Sequence, residues 1–147
     1  MNITRYNFKR ALPVIAQSLR QSDFIAFDFE FSGLQYHTDL ANHQTDTQAL
    51  RYWKYRESIR RFTPTQMGIC GFRYFEADQR LECYPFNFYI LPFSYEGLLE
   101  KQFVVNVNSF GFLAQNKFDF NKLFYESVGY TSHSDHKLLK EKRSQRP

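Results

Sequence analysis

The chain has 147 residues, 43% of them hydrophobic, with 17 Phe and 10 Tyr, which allows one domain of ordinary size, or part of a larger one, with an aromatic core. That apolar content argues against a disordered chain, and the N-terminal run, broken by charges and Pro13, lacks both a signal-peptide core and a membrane-spanning stretch. A formal charge of +4 and a pI of about 9.1 fit an anionic partner such as nucleic acid, and fit a solvated basic surface equally well.

In chain order, Phe8, Ala11, Leu12, Ile15 and Leu19 recur at helical spacing, and Pro13 predicts that the regular helix begins close to it. DFIAFDFEF (residues 23–31) follows as a strand. Ile25, Phe27, Phe29 and Phe31 fall on one face, and Phe24, Ala26, Asp28 and Glu30 on the other. Apolar residues on both faces predict a central strand. Residues 35–48, QYHTDLANHQTDTQ, are polar and aperiodic and read as a loop. A helix is expected over 49–62, with Tyr52, Tyr55, Ile59 and Phe62 towards the core, and Arg51, Lys54, Arg56, Arg60 and Arg61 make it strongly basic.

QMGICGFRYF (66–75) and LECYPFNFYI (81–90) read as an antiparallel hairpin turning on EADQR. FVVNV (103–107) reads as a short strand before two short helical segments. HKLLKEKRSQRP reads as a basic tail or the start of a helix. With no secretory signal, Cys70 and Cys83 are expected to be reduced thiols in an intracellular protein, nuclear or cytoplasmic.

Asp28 and Glu30 are the residues that ask for an explanation. At i and i+2 of a strand they share a face, where two carboxylates repel, and burying them unpaired would cost several kcal/mol. A divalent cation removes both problems, because Mg²⁺ takes hard oxygen ligands and few protein carboxylates. A solvent-exposed face, with the acids as surface decoration, explains the same spacing. Spacing alone leaves both readings open.

Wider context favours the metal. FDFEFSGL, RYWKYRESIRRFTPTQMGICGF, NFYILP and NSFGFLAQNKFDFNKLF together resemble the poly(A)-specific ribonuclease family of the DEDD exonuclease superfamily, over about residues 7–146. The resemblance implies an α/β fold, a ribonuclease H-like mixed sheet flanked by helices, of which residues 1–147 would be the N-terminal, incomplete part. It implies 3′-to-5′ exoribonuclease activity with two Mg²⁺ ions, or Mn²⁺ in their place. Asp28 and Glu30 stand where the family's first motif supplies metal ligands. Phe31, Leu34, Phe110 and Phe112 stand where the family contacts terminal nucleotides, and aromatic stacking suits single-stranded RNA.

The implied partners are single-stranded RNA 3′ ends, poly(A) among them, with a homodimer as one form of assembly. The pattern also breaks. The superfamily uses four acids, and two have no counterpart here. Asp119 in FDFN reads as a helix cap, and His133 and His136 as surface residues. Two functions follow. One is an exoribonuclease segment that shortens poly(A) or trims small-RNA 3′ ends, releasing nucleoside 5′-monophosphates; Phe29, bulky where some poly(A)-degrading relatives are small, leans to trimming. The other is a catalytically inactive RNA-binding or partner-binding fragment, which the basic helix and tail would serve.

Overall fold

The computed structural model describes residues 1–35, 40–95 and 99–144. Its frame is the hairpin of β3 (Pro64–Phe75) and β4 (Arg80–Pro92), joined by a 3-10 turn at Glu76–Asp78. Gln79 closes that turn in the left-handed region, φ 47°. The pairing puts Gly68 opposite Asn87, Cys70 opposite Pro85 and Phe72 opposite Cys83. The two cysteines are therefore offset by two residues, and both are free thiols.

β2 (Phe24–Phe31) pairs antiparallel with β3, and β1 (Asn2–Ile3) and β5 (Val128–Tyr130) each pair parallel with β4. The order β1-β4-β3-β2 makes a mixed α/β sheet with helices packed against it. β2 therefore lies at the edge of the described sheet and not at its centre. Its first residues are open: Phe24, Ile25 and Phe27 are 55%, 46% and 71% exposed. β4 buries Phe86, Phe88 and Tyr89, whereas β2, among the described residues, has a strand on one side only.

α1 (Phe8–Arg20) covers one face of the sheet, burying Ala11 and Ile15 against Ile3, Phe86 and Phe88. Each such large side chain contributes about 1.5–3 kcal/mol by leaving water. The helix starts five residues before Pro13, so the proline does not mark its beginning. Pro13 and Lys9 are both exposed, and the Lys9 carbonyl that loses its helical donor can take a water instead.

α2 (Gln48–Ile59) is capped by Thr47, whose hydroxyl accepts from Leu50 N at 3.2 Å. Its orientation reverses the expected one. Lys54 and Ser58 are buried, whereas Tyr52, Tyr55 and Ile59 are exposed; Phe62, beyond the helix, is buried as expected. Lys54 can be inside because Nζ donates to Ala41 O at 2.8 Å and to Asp46 Oδ2 at 2.7 Å. Of residues 35–48, those at 36–39 lie outside the described residues.

Residues 103–106 form no strand. Val104 and Asn106 bond instead to Ser32: Ser32 Oγ donates to Val104 O at 2.7 Å, and Asn106 N donates to Ser32 O at 2.8 Å. α3 (Val107–Gln115) then starts on an Asn106 cap, and α4 (Phe120–Glu126) on an Asp119 cap. α5 (His133–Ser144) makes residues 136–144 of the basic C-terminal run part of a helix that buries Leu139, and residues 145–147 lie outside the described residues. Among the described residues, no helix is long and apolar enough to cross a membrane.

Candidate functional site

Strand geometry carries Asp28 and Glu30 to one side of β2, as alternation requires. The register extends that side into a row across the sheet: Asp28 opposite Gly68, Gly68 opposite Asn87, and Asn87 opposite Asn2, with Glu30 opposite Gln66. Asp28, Glu30, Gln66, Gly68 and Asn87 line a hollow of about 100 Å³. Gly68 keeps the hollow open beside Asp28, for nothing lies within 4 Å of where a Cβ would stand. Asn87 is held by its Nδ2 donating to Asn2 Oδ1 at 3.1 Å.

The two acids are not equivalent. Asp28 is exposed, and its Oδ1 accepts from Phe29 N at 2.9 Å. Glu30 is half-buried, and partial burial, followed by the charge of Asp28 beside it, raises its carboxyl above the ordinary value of 4.5. Among the described residues neither acid forms an ion pair. This is a pair of hard oxygen donors whose mutual repulsion a cation would relieve. The donor chemistry therefore fits Mg²⁺ or Mn²⁺ holding most of its waters. Among the described residues no third His, Cys, Asp or Glu joins them.

Immediately after Glu30 the ladder changes register: Glu30 pairs with Gln66, but Phe31 with Pro64. The extra residue, Thr65, is fully buried and donates through Oγ1 to Glu30 O at 3.0 Å. A bulge of this kind bends the strand and redirects the side chains that follow. Ser32, also fully buried, fixes the exit, accepting from Thr63 N at 3.0 Å in addition to its bonds with residues 104 and 106. Gly33 is required by close approach, since a Cβ there would stand 2.3 Å from the Phe62 ring.

The result is a pocket of about 420 Å³ in which the chain after the acids meets α3. Phe31 and Leu34 form one side with Phe29 and Glu30. Asn108, Ser109, Phe112 and Leu113 form the other. The structure thus brings Phe31, Leu34 and Phe112 together with Glu30, though they are up to 82 residues apart in sequence. Phe110 does not join them. Two positions from Phe112 on α3 is about 200° of rotation, and its ring packs on Phe120, 4.9 Å between centroids.

Sequence reasoning misses Gln66, Asn87, Asn108 and Ser109 as site residues. The first two follow only from the hairpin register. Asn108 and Ser109 follow from i and i+4 spacing once Phe112 and Leu113 are known to face the pocket. Asp119 serves as expected, as a cap: its carboxylate accepts from Lys122 N and Lys122 Nζ, both at 3.0 Å, which holds it below the usual carboxylate range. His133 and His136 are exposed on α5.

Residues 3–147 match the family described as CAF1 family ribonuclease. Over 99% of its length the chain is 34% identical to a poly(A)-specific ribonuclease PARN from Xenopus laevis, and over 95% it is 33% identical to a pre-piRNA 3′-exonuclease trimmer from Bombyx mori. It spans 24% and 26% of those proteins, about a quarter of their length. Among solved structures, Pop2p of S. pombe in an Mg²⁺- and Mn²⁺-bound form superposes with a TM-score of 0.62 at 16% identity, over 95% of this chain and 51% of that one. The RNase domain of yeast Pop2 gives 0.56. These likenesses establish a ribonuclease H-like fold.

Proposed function

Because the chain belongs to the CAF1 family of ribonucleases, we propose that it is the part of a 3′-to-5′ exoribonuclease that holds the RNA 3′ end beside a metal site. The observation that supports this most is the adjacency of the Asp28–Glu30 hollow and the apolar pocket, which share Phe29 and Glu30. The substrate is single-stranded RNA, poly(A) or the 3′ end of a small RNA. The reaction hydrolyses the terminal phosphodiester and releases nucleoside 5′-monophosphates.

Asp28 and Glu30 would hold Mg²⁺, or Mn²⁺ in its place. Such a metal, when bound, makes an attacking water more acidic and neutralises charge on the leaving oxygen. The chain's own residues position the substrate. Phe31 and Phe112 offer ring faces to the terminal bases, and Leu34 and Leu113 add apolar contact. Asn108 and Ser109 supply polar groups at the pocket rim, the part of such a site that fixes orientation. Positioning at this level is what turns a slow bimolecular attack into a near-intramolecular one.

The second reading, RNA binding without cleavage, is favoured for this chain by itself by one observation: two carboxylates meet in the hollow and, among the described residues, no third ligand does. Both readings place the RNA in the same pocket. The experiment is photo-crosslinking with oligo(A) carrying a single 4-thiouridine, either at its 3′ or at its 5′ end. A 3′ probe is expected to label peptides that contain Phe31, Leu34 or Phe112, and a 5′ probe to spare them. Equal labelling by both probes would defeat the end-holding role.

A further inference from the structure

Leu34 is 67% exposed and borders two hollows. One is the pocket with Glu30, Phe31 and Phe112. The other, about 220 Å³, lies between Leu34 and Gln35, Leu40 and Asn42, and Tyr55 and Ser58 of α2. The two hollows therefore have Leu34 in common.

The reversed orientation of α2 prepares that second hollow. Turning Lys54 and Ser58 inward leaves the Tyr55 ring 52% exposed at its border. Arg51 stands one turn before Tyr55 on the same side of the helix. Its Nη2 donates to Gln44 O at 3.3 Å, two residues past Leu40–Asn42, which wall the hollow. Arg56 is exposed next to Tyr55. Among the described residues neither arginine meets a carboxylate, and the one acid of α2, Glu57, is engaged by Arg60 at 3.0 Å. An apolar side chain of a protein partner would fit the hollow by shape. Two guanidiniums free of acids favour an occupant that carries phosphates.

We infer that this hollow takes an upstream nucleotide of the same single-stranded RNA whose 3′ end lies in the pocket. The base rests against Tyr55, and the backbone phosphates face Arg51 and Arg56. Stacking on an exposed ring and charge along the backbone are the sequence-tolerant means of gripping single strands. The inference rests on the RNA-end reading above and extends it from the end to the tail.

The test is equilibrium binding of the whole chain to an adenine trinucleotide and to a decanucleotide, for wild type, Tyr55→Ala and Tyr55→Phe. Tyr55→Ala is expected to weaken the decanucleotide about tenfold, within the range for loss of one stacking platform, and to leave the trinucleotide unchanged. Tyr55→Phe keeps the ring and is expected to bind both oligonucleotides as wild type does. The double change Arg51→Gln with Arg56→Gln should reduce the salt slope for the decanucleotide by about 0.7 for each phosphate that is no longer neutralised. If wild type binds both oligonucleotides and Tyr55→Ala binds the decanucleotide as well as wild type, the inference fails and the RNA-end reading stands. Equal weakening of both by Tyr55→Ala also overturns it, because the ring would then act within the end pocket. Binding of neither by wild type removes the RNA-end reading and this inference together.

Discussion

Glu30 pays for its position in a way that can be measured. Its carboxyl is raised by partial burial and by Asp28, so the folded chain keeps a proton that the unfolded chain has already lost. Stability from this source is complete below the ordinary value of 4.5 and declines as pH rises through the folded value. Glu30→Gln removes the effect. Its melting temperature is therefore expected to exceed that of wild type at neutral pH without divalent ions, with the gap closing as pH falls below the ordinary value. Mg²⁺ just sufficient to saturate wild type should raise the wild-type melting temperature more than that of Glu30→Gln, since a bound cation favours the charged form. Thermal melts across pH, with and without Mg²⁺, read both effects. At the same scale Gly33→Ala sets a Cβ against the Phe62 ring and is expected to cost about 1–3 kcal/mol by overpacking, seen in denaturant unfolding.

Elements differ in how far their residues announce them. The hairpin is legible because β3 and β4 are long, β-rich and separated by a polar turn. The α3 and α4 caps are legible in part, since Asp119 precedes its helix by one residue in a recognisable pattern. α2 is legible as a helix but not in its facing. Three aromatic and aliphatic residues at helical spacing look like a core face. The burial of Lys54 depends on Asp46 and the Ala41 carbonyl, and no periodicity records those partners. FVVNV has strand propensity, yet Ser32 takes the Val104 carbonyl and the Asn106 amide, and the Arg61 carbonyl takes the Val104 amide. β1 and β5 have two and three residues, too few for alternation to register. The Lys54 clamp gives a further prediction. The bond from Lys54 and that from His43 N hold Asp46 below the usual carboxylate range, so their stabilisation is present above 3.8 and is lost as pH falls through the folded value. Lys54→Met should lower the melting temperature at neutral pH, and by less in acid, where Asp46 is protonated in both proteins.

At the scale of the whole molecule, one apolar strand edge and one acid pair dominate. Among the described residues one edge of β2 has no strand beside it, and the strand exposes the side chains of Phe24, Ile25 and Phe27; edges of that kind associate. Sedimentation of this chain is expected to show concentration-dependent self-association; a monomer at all concentrations would contradict it. With two carboxylates converging, the second ion of a two-metal mechanism lacks protein ligands among the described residues, so the chain by itself is expected to shorten 3′-labelled oligo(A) little or not at all. The most direct test of the acid pair as a metal site does not depend on cleavage. Mn²⁺ is titrated into wild type, Asp28→Asn and Glu30→Gln, and the free ion is followed by electron paramagnetic resonance. Wild type should bind Mn²⁺ in competition with Mg²⁺, and either substitution should weaken binding about tenfold or more, since losing only a partner that orients a ligand already costs about that much. Mn²⁺ binding that is unchanged in Asp28→Asn and Glu30→Gln would contradict the assignment.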